Sequence, residues 1–378
     1  MRGIWLGLAA ATIVAHGASA QDVVKLADVI ELSGAGATVG TNWKNGVDLA
    51  VREINAKGGI LGRRIAVTHY DSQTNPGVAK AMATKAVDEN PYAILGPIFS
   101  GSVMVNMQVA EQAEIPQFTG GEAASITQQG NPYIFRTSFS QALGMPKLAN
   151  YLQNEVKVKS VAVVWINNDF GKGGRDAMVK ELNARGIKVA ADISTEQQQV
   201  DFSSAVVRAK SSGADALFAY LNEEESARLL RELRKQGYDK PIVGETTLMS
   251  QKVIDLAGDA VNGVRGHVGL TIDAPVPAIQ EFAQKFEKEY GAKSDHNGIK
   301  GYTAVYLIKA ATEKVGKFDR KALAAAIKNA SFSVKDHPGL LMDVSFDDKG
   351  DLDRESFLVE VKGGKQVVIG TLPPVGKR

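Results

Sequence analysis

An α/β fold built as two Rossmann-like lobes is predicted by three observations. Strand and helix signals alternate along the chain, the pattern of a parallel sheet covered by helices on both faces. The alternation runs to about Phe139 and restarts near Gln141. The chain beyond its first twenty residues, Gln21 to Arg378, is longer than one ordinary hydrophobic core accommodates.

The elements follow in order. Val23 to Ile30 reads as a buried strand, and apolar residues at helical spacing run from Trp43 through Val47, Leu49, Ala50 and Ile54 until Gly58-Gly59 stops them. Arg64 to Tyr70 is rich in β-formers. Pro76 stands where a helix can begin, followed by Val78, Ala81, Met82 and Val87. Tyr92 to Leu95 is a strand, Ser102 to Ala113 a helix and Ile115 to Thr119 a strand. The second series opens with Ser160 to Ile166. A helix from Gly173 to Ala184, a strand from Ile187 to Ile193, and a helix from Asp201 to Lys210 with Asp201 as N-cap come next. Ala216 to Leu221 and the start at Pro241 to Gly244 are strands that flank a helix over Glu224 to Lys235. Three amphipathic helices are expected over 277–290, 301–314 and 319–329. The tail turns to short β segments, 340–346, 356–361 and 366–369, with hairpin signals at Asp347-Asp348-Lys349-Gly350 and Gly363-Gly364.

The first twenty residues read as an export signal. Met1-Arg2 is a short basic start, Ile4 to Ala15 is an apolar stretch, and Ala18-Ser19-Ala20 offers small side chains before Gln21. The stretch is shorter than the roughly 20 apolar residues that span a bilayer. No Cys follows the cleavage point for lipid attachment. The expected location is the periplasm of a Gram-negative cell.

Composition removes several function classes. With Arg2 as the only charge of the leader, the exported chain carries 43 basic against 42 acidic side chains, and neither sign is clustered. Nucleic acid is therefore not an expected partner. The absence of cysteine excludes thiolate catalysis and Cys-ligated zinc. No serine has the Gly-x-Ser-x-Gly setting of a nucleophile elbow, and no Gly-Lys is followed by Ser or Thr as a phosphate loop requires. Gly34-x-Gly36-x-x-x-Gly40 departs by one residue from a dinucleotide fingerprint. His69, His267, His296 and His337 are isolated from one another. No cofactor, no metal and no enzymatic activity are expected.

Several segments resemble periplasmic binding proteins of the leucine/isoleucine/valine type (type I). They are Leu32-Ser33-Gly34, Ile54-Asn55-Ala56-Lys57-Gly58-Gly59-Ile60-Leu61-Gly62, Tyr70-Asp71-Ser72-Gln73, Ile115-Pro116-Gln117, Asn168-Asp169-Phe170-Gly171-Lys172-Gly173, Asp201-Phe202 and Leu256-Ala257-Gly258-Asp259-Ala260. They occur in the family's order over essentially the whole exported chain. The resemblance implies two lobes joined by a three-strand hinge. Residues 21–139 with about 271–345 would form the N-terminal lobe, and about 140–270 with 346–378 the C-terminal lobe. It further implies a small solute, an amino acid or another carboxylate, held between the lobes and passed to an inner-membrane ABC permease. A monomer is expected.

The loop Gly96-Pro97-Ile98-Phe99-Ser100-Gly101-Ser102 precedes a helix, whose dipole and free N–H groups suit an anion. Ser100 matches the family's binding serine; Ser100 or Ser102 merely capping the helix is the alternative. Phe99 and Phe170 are expected to cover the apolar part of a ligand. At Gly121-Glu122-Ala123 this chain departs from the family, where a hydroxyl often touches the amino acid, and Glu122, Ala123 and Thr246 are expected among the ligand-binding residues. Thr246 stands where the family has the acidic partner of the ammonium. Glu122, Glu223 or Glu245 would take that duty, so the resemblance leaves open an amino acid of branched-chain type or a non-amino aromatic or organic acid. A sensory ligand-binding subunit is the rival from another class.

Overall fold

A computed structural model describes residues 23–376; the expected leader lies outside them. The first part of the chain builds a five-stranded sheet from β1 (Val24–Ile30), β2 (Ile65–Asp71), β3 (Ala93–Leu95), β4 (Gln117–Thr119) and β5 (Ile134–Arg136). The order is β2-β1-β3-β4-β5 and every pairing is parallel. Between the strands run α1 (Ala37–Ala56), α2 (Pro76–Asp88) and α3 (Ser100–Gln112). β1 is buried at every position but Lys25, as a strand covered on both faces must be. The Asn75 side chain accepts from the amides of Gly77 and Val78 and so starts α2, with Pro76 at the position where a missing N–H costs nothing.

α4 (Gln141–Tyr151) then leads into β6 (Ser160–Ile166), α5 (Asp169–Ala184), β7 (Lys188–Thr195), α6 (Ser203–Ser211), β8 (Ala216–Tyr220), α7 (Glu223–Lys235), β9 (Ile242–Gly244), α8 (Gln251–Ala257) and β10 (Arg265–Val268). α9 (Pro277–Tyr290), α10 (His296–Val315) and α11 (Arg320–Ile327) follow. The chain ends with β11 (Ser331–Phe332), β12 (Val344–Phe346), β13 (Leu352–Asp353), β14 (Ser356–Lys362) and β15 (Lys365–Leu372). The second sheet has the order β15-β14-β10-β9-β8-β6-β7. Its members from β7 to β10 are parallel, whereas β14 and β15 run antiparallel as a hairpin. β11, β12 and β13 form a small antiparallel sheet. α10 returns to the first sheet and lies along α1, buried over nearly its whole length.

The chain thus passes between the two large sheets three times, through residues 137–140, 269–276 and 347–355. Phe139 of the first passage meets one residue of each of the other two. The Arg354 guanidinium lies 5.7 Å from the centre of the Phe139 ring, and the backbone of Gly269 approaches that ring so closely that a Cβ there would stand 2.4 Å from it. The two-lobe α/β architecture expected from the sequence is present.

Several expected boundaries move. α5 begins at Asp169, four residues before Gly173, because the Asn168 side chain accepts from the Gly171 amide. α10 begins at His296, five residues before Gly301, capped by Asp295. Asp201 is not the N-cap of α6: that position is Phe202, and the Asp201 carboxylate accepts instead from the Ser203 amide. Leu340 ends a tight 3-10 turn that begins at Pro338, and the strand expected over 340–346 begins only at Val344.

Beneath α1, Trp43 is fully buried and its indole donates to Asp28 at 3.0 Å. Asp28 also holds His69 at 2.7 Å, and Asp48 takes the other ring nitrogen at 2.9 Å. Burial opposes a charge on His69, but the bonds to Asp28 and Asp48 outweigh it and push the imidazole up to about 9. A histidine raised in the folded state stabilises fully below its ordinary value of 6.5 and loses that contribution as pH climbs through 9. Denaturant unfolding between pH 6.5 and 9.5 is expected to show this loss, and His69→Gln is expected to flatten it.

Candidate ligand-binding cleft

In a parallel sheet the crevice opens where the strand order reverses, at the carboxyl ends of the strands. The first sheet reverses between β1 and β3, and the second between β6 and β8. The loops after these four strands face one another. They line a cleft of about 530 Å³ with Gly34 and Ala35 after β1, Phe99 to Ser102 after β3, Asn167 to Phe170 after β6, and Asn222 to Glu225 after β8. A smaller chamber of about 30 Å³ shares Phe99, Ser100, Phe170, Asn222 and Glu223 with the cleft. It is completed by Ile98, Gly120, Glu122, Thr247, His296, Asn297 and Lys300. Lys252 of α8 spans the cleft, donating to the Ala35 carbonyl at 3.2 Å.

The α3 end of the cleft depends on a glycine. At Gly96 the backbone leaves β3 with φ +73°, and a Cβ would stand 2.4 Å from the Val29 carbonyl oxygen. Phe99 occupies the N-cap of α3 without a capping side chain, so the sequence alternative of Ser100 or Ser102 as cap is not realised. The first-turn amides of an α-helix have no intrahelical acceptor. Ser100 is buried and its Oγ accepts from the Ala123 amide at 3.2 Å, which leaves the hydroxyl proton to donate elsewhere. The Ser102 Oγ is buried without a partner among the described residues. One carboxylate is already nearby: Glu31, fully buried, accepts from the amides of Ile98 and Phe99 at 3.2 and 3.1 Å. Burial pushes it up to about 7 against the pull of those two donors.

Of the residues singled out from the sequence, Phe99, Ser100, Phe170 and Glu223 line both spaces, Gly101 and Ser102 line the cleft, and Glu122 lines the chamber. Phe170 stacks on Tyr220 at 4.3 Å and 21°, and Gly174 permits this arrangement, since a Cβ there would stand 2.1 Å from the Tyr220 ring. Two expectations are corrected. Ala123 is buried outside the chamber lining, its amide on Ser100 and its carbonyl on Arg136, so it positions Ser100 instead. Thr246 turns its hydroxyl to the Gly269 amide at 3.3 Å, and the adjacent Thr247 lines the chamber.

The candidate ammonium partners also separate. Glu245 lies against His267 at 2.9 Å, both buried. Glu122 is engaged by Lys300 of α10 at 2.9 Å, with both side chains nearly enclosed. Glu223 alone has no hydrogen-bonding side-chain partner among the described residues, and burial pushes its carboxyl up to about 7. Folded and unfolded proteins then differ in proton uptake between the ordinary value of 4.5 and 7, the folded state binding more. Stability from this group is expected to fall as pH rises through that window. Comparing melting temperatures of wild type and Glu223→Gln from pH 4.5 to 8 checks it: the variant is expected to lose less on going up.

Lys300, His296, Asn297 and Thr247 were missed by sequence reasoning. His296 is neutral, held well below 6.5 by burial and then by Lys300. The signal that existed was Asp295, whose carboxylate accepts from the amides of Asn297 and Gly298 and marks the true start of α10.

The profile of a periplasmic binding protein family matches residues 23–366. The Leu/Ile/Val-binding protein homolog 1 of Brucella abortus is 27% identical over 353 residues, covering 92% of each chain. A solute-binding protein of an ABC transporter from R. palustris, solved in complex with benzoate, is 25% identical with a TM-score of 0.84, covering 94% of this chain and 98% of that one. The branched-chain amino acid transporter substrate-binding protein of Streptococcus pneumoniae, solved with isoleucine, has the same fold at 23% identity and a TM-score of 0.82, covering 94% and 99%. With facing switch-point loops, an uncapped helix start in the cleft and a match along nearly the whole described chain, this protein belongs to the periplasmic binding protein family.

Proposed function

We propose that this chain captures a small carboxylate-bearing solute between its lobes in the periplasm and presents the closed form to an inner-membrane permease, releasing the solute chemically unchanged. The observation that carries the reading is Ser100. Its hydroxyl is satisfied as an acceptor and free as a donor beside the open first turn of α3, an arrangement that suits a carboxylate. Closure would shift an existing open–closed equilibrium about the three passages. Residues 21–139 with about 271–345 make up one lobe in this reading, and 140–270 with 346–378 the other; the working unit is a monomer without catalytic activity.

Two versions of the solute have support. Names of relatives such as the Leu/Ile/Val-binding homolog favour an amino acid of branched-chain type, with Glu223 as the carboxyl that meets its ammonium. The capture of Glu122 by Lys300 favours a non-amino organic acid, as does the benzoate bound by the R. palustris protein. Mass spectrometry of solute released from the purified protein, followed by a thermal-shift screen of amino acids and aromatic acids, tests the proposal. A carboxylate ligand at 100 times its Kd is expected to stabilise by about 2.7 kcal/mol. A non-acidic ligand as the only stabiliser would overturn it.

A further inference from the structure

We infer that the inner chamber selects a solute whose far end, away from the carboxylate, carries a hydrogen-bonding group, with Lys300 as the residue that reads it. The inference rests on the carboxylate reading of Ser100 and adds the chemistry of the other end. Beside Ser100, the chamber is lined by the first turn and a half of α10, with His296, Asn297 and Lys300, and by Glu122. Its polar groups are incompletely used. The Lys300 ammonium has one short bond, to Glu122 at 2.9 Å, and a long one to the Gly120 carbonyl at 3.5 Å. A lysine has three donors. The His296 ring has no hydrogen-bond partner among the described residues, and the Asn297 Oδ1 is buried without one. Glu223 adds a buried carboxyl that no neighbouring side chain contacts by a hydrogen bond.

An aliphatic side chain pushed into this space would shut these groups off from water and return no hydrogen bond to any of them, the arrangement that costs most. A hydroxyl or an amide at the same place would accept from Lys300 and serve its neighbours. Sites built to hydrogen-bond one substituent discriminate strongly against analogues that lack it. The chamber is thus suited to a hydroxylated aromatic acid or an amide-bearing amino acid, and unsuited to benzoate or leucine.

Matched pairs test this. Titration calorimetry compares 4-hydroxybenzoate with benzoate, and asparagine with leucine, which have nearly the same shape. The polar member is expected to bind at least tenfold more tightly in the pair that binds. The double variant Glu122→Gln/Lys300→Met, which removes the buried charges together, is expected to reduce that ratio to about one, the apolar member binding more tightly than to the wild type because the stranded ammonium is gone. Equal or tighter binding of the apolar member overturns the inference and leaves the carboxylate reading standing. A polar preference that survives the double variant overturns the assignment to Lys300. If none of the four binds while a non-acidic solute does, the carboxylate reading itself falls, and this inference with it.

Discussion

Replacing Arg136 with methionine is expected to destabilise the protein by about 3–5 kcal/mol, the cost of removing one partner from a buried ion pair. Arg136 ends β5 and is fully buried. Its Nε donates to Asp351 at 2.6 Å, in the third passage between the sheets. The other nitrogens hold the loop that follows β4, donating to the carbonyls of Gly121 and Ala123 and to the Thr127 hydroxyl. One side chain thereby fixes the loop that carries Glu122 and aims the Ala123 amide at Ser100, and ties that loop to a hinge segment. Methionine fills similar volume but supplies no donor, so Asp351 is left without its cation, and the carbonyls of Gly121 and Ala123 keep only the Ser138 hydroxyl and the Ile126 amide. A loss of this size is a large fraction of a typical 5–15 kcal/mol total. Urea unfolding measures it, and the further change Asp351→Leu is expected to restore part of the loss by removing the stranded charge. A cost below about 1 kcal/mol for Arg136→Met would show that the network does not hold the loop.

Much of this architecture was legible because its cause is local. The pattern of β1 and the long apolar periodicity of α1 arise from burial within a single element, and the positions of Pro76 and Gly58-Gly59 announce their own backbone geometry. β5 and α4 escaped for equally physical reasons. β5 has three residues and ends in a buried arginine, and α4 contains Pro146, which ordinarily argues against a helix interior. In the site, Ser100 was legible in the segment that leads from a strand into a helix, and Phe170 through the resemblance of its segment to the family; both fall in the first turn of a helix, α3 and α5. Lys300 was not: it lies 178 residues from Glu122 in sequence, and only the return of α10 to the first sheet brings them together. The same long-range contact turned Glu122 from a free counter-ion for a ligand into half of an internal pair. Thr246 and Thr247 differ by one position in a tight turn, and which of the two faces the chamber is decided by the Gly269 amide, a partner 23 residues away.

Ser100→Ala is expected to weaken ligand binding by roughly 10- to 100-fold, or about 1.5–3 kcal/mol, the usual worth of a hydrogen bond to a charged group. The alanine keeps the helix start, because Ser100 is not its cap. It removes the one hydroxyl that already has its acceptor role filled by Ala123 and therefore has its proton to give. The Ala123 amide also loses its acceptor, so a stability cost of about 1 kcal/mol should accompany the change. Ser102→Ala separates the two effects. Ser102 Oγ has no partner to lose among the described residues, so any weakening there reports the ligand alone, and it should be the smaller of the two because Ser102 lines only the outer cleft. Calorimetric titration of both variants with the solute recovered from the protein reads the ranking directly. An unchanged Kd for Ser100→Ala would remove the carboxylate from the start of α3, since among the described residues no other side-chain hydroxyl lines both the cleft and the chamber.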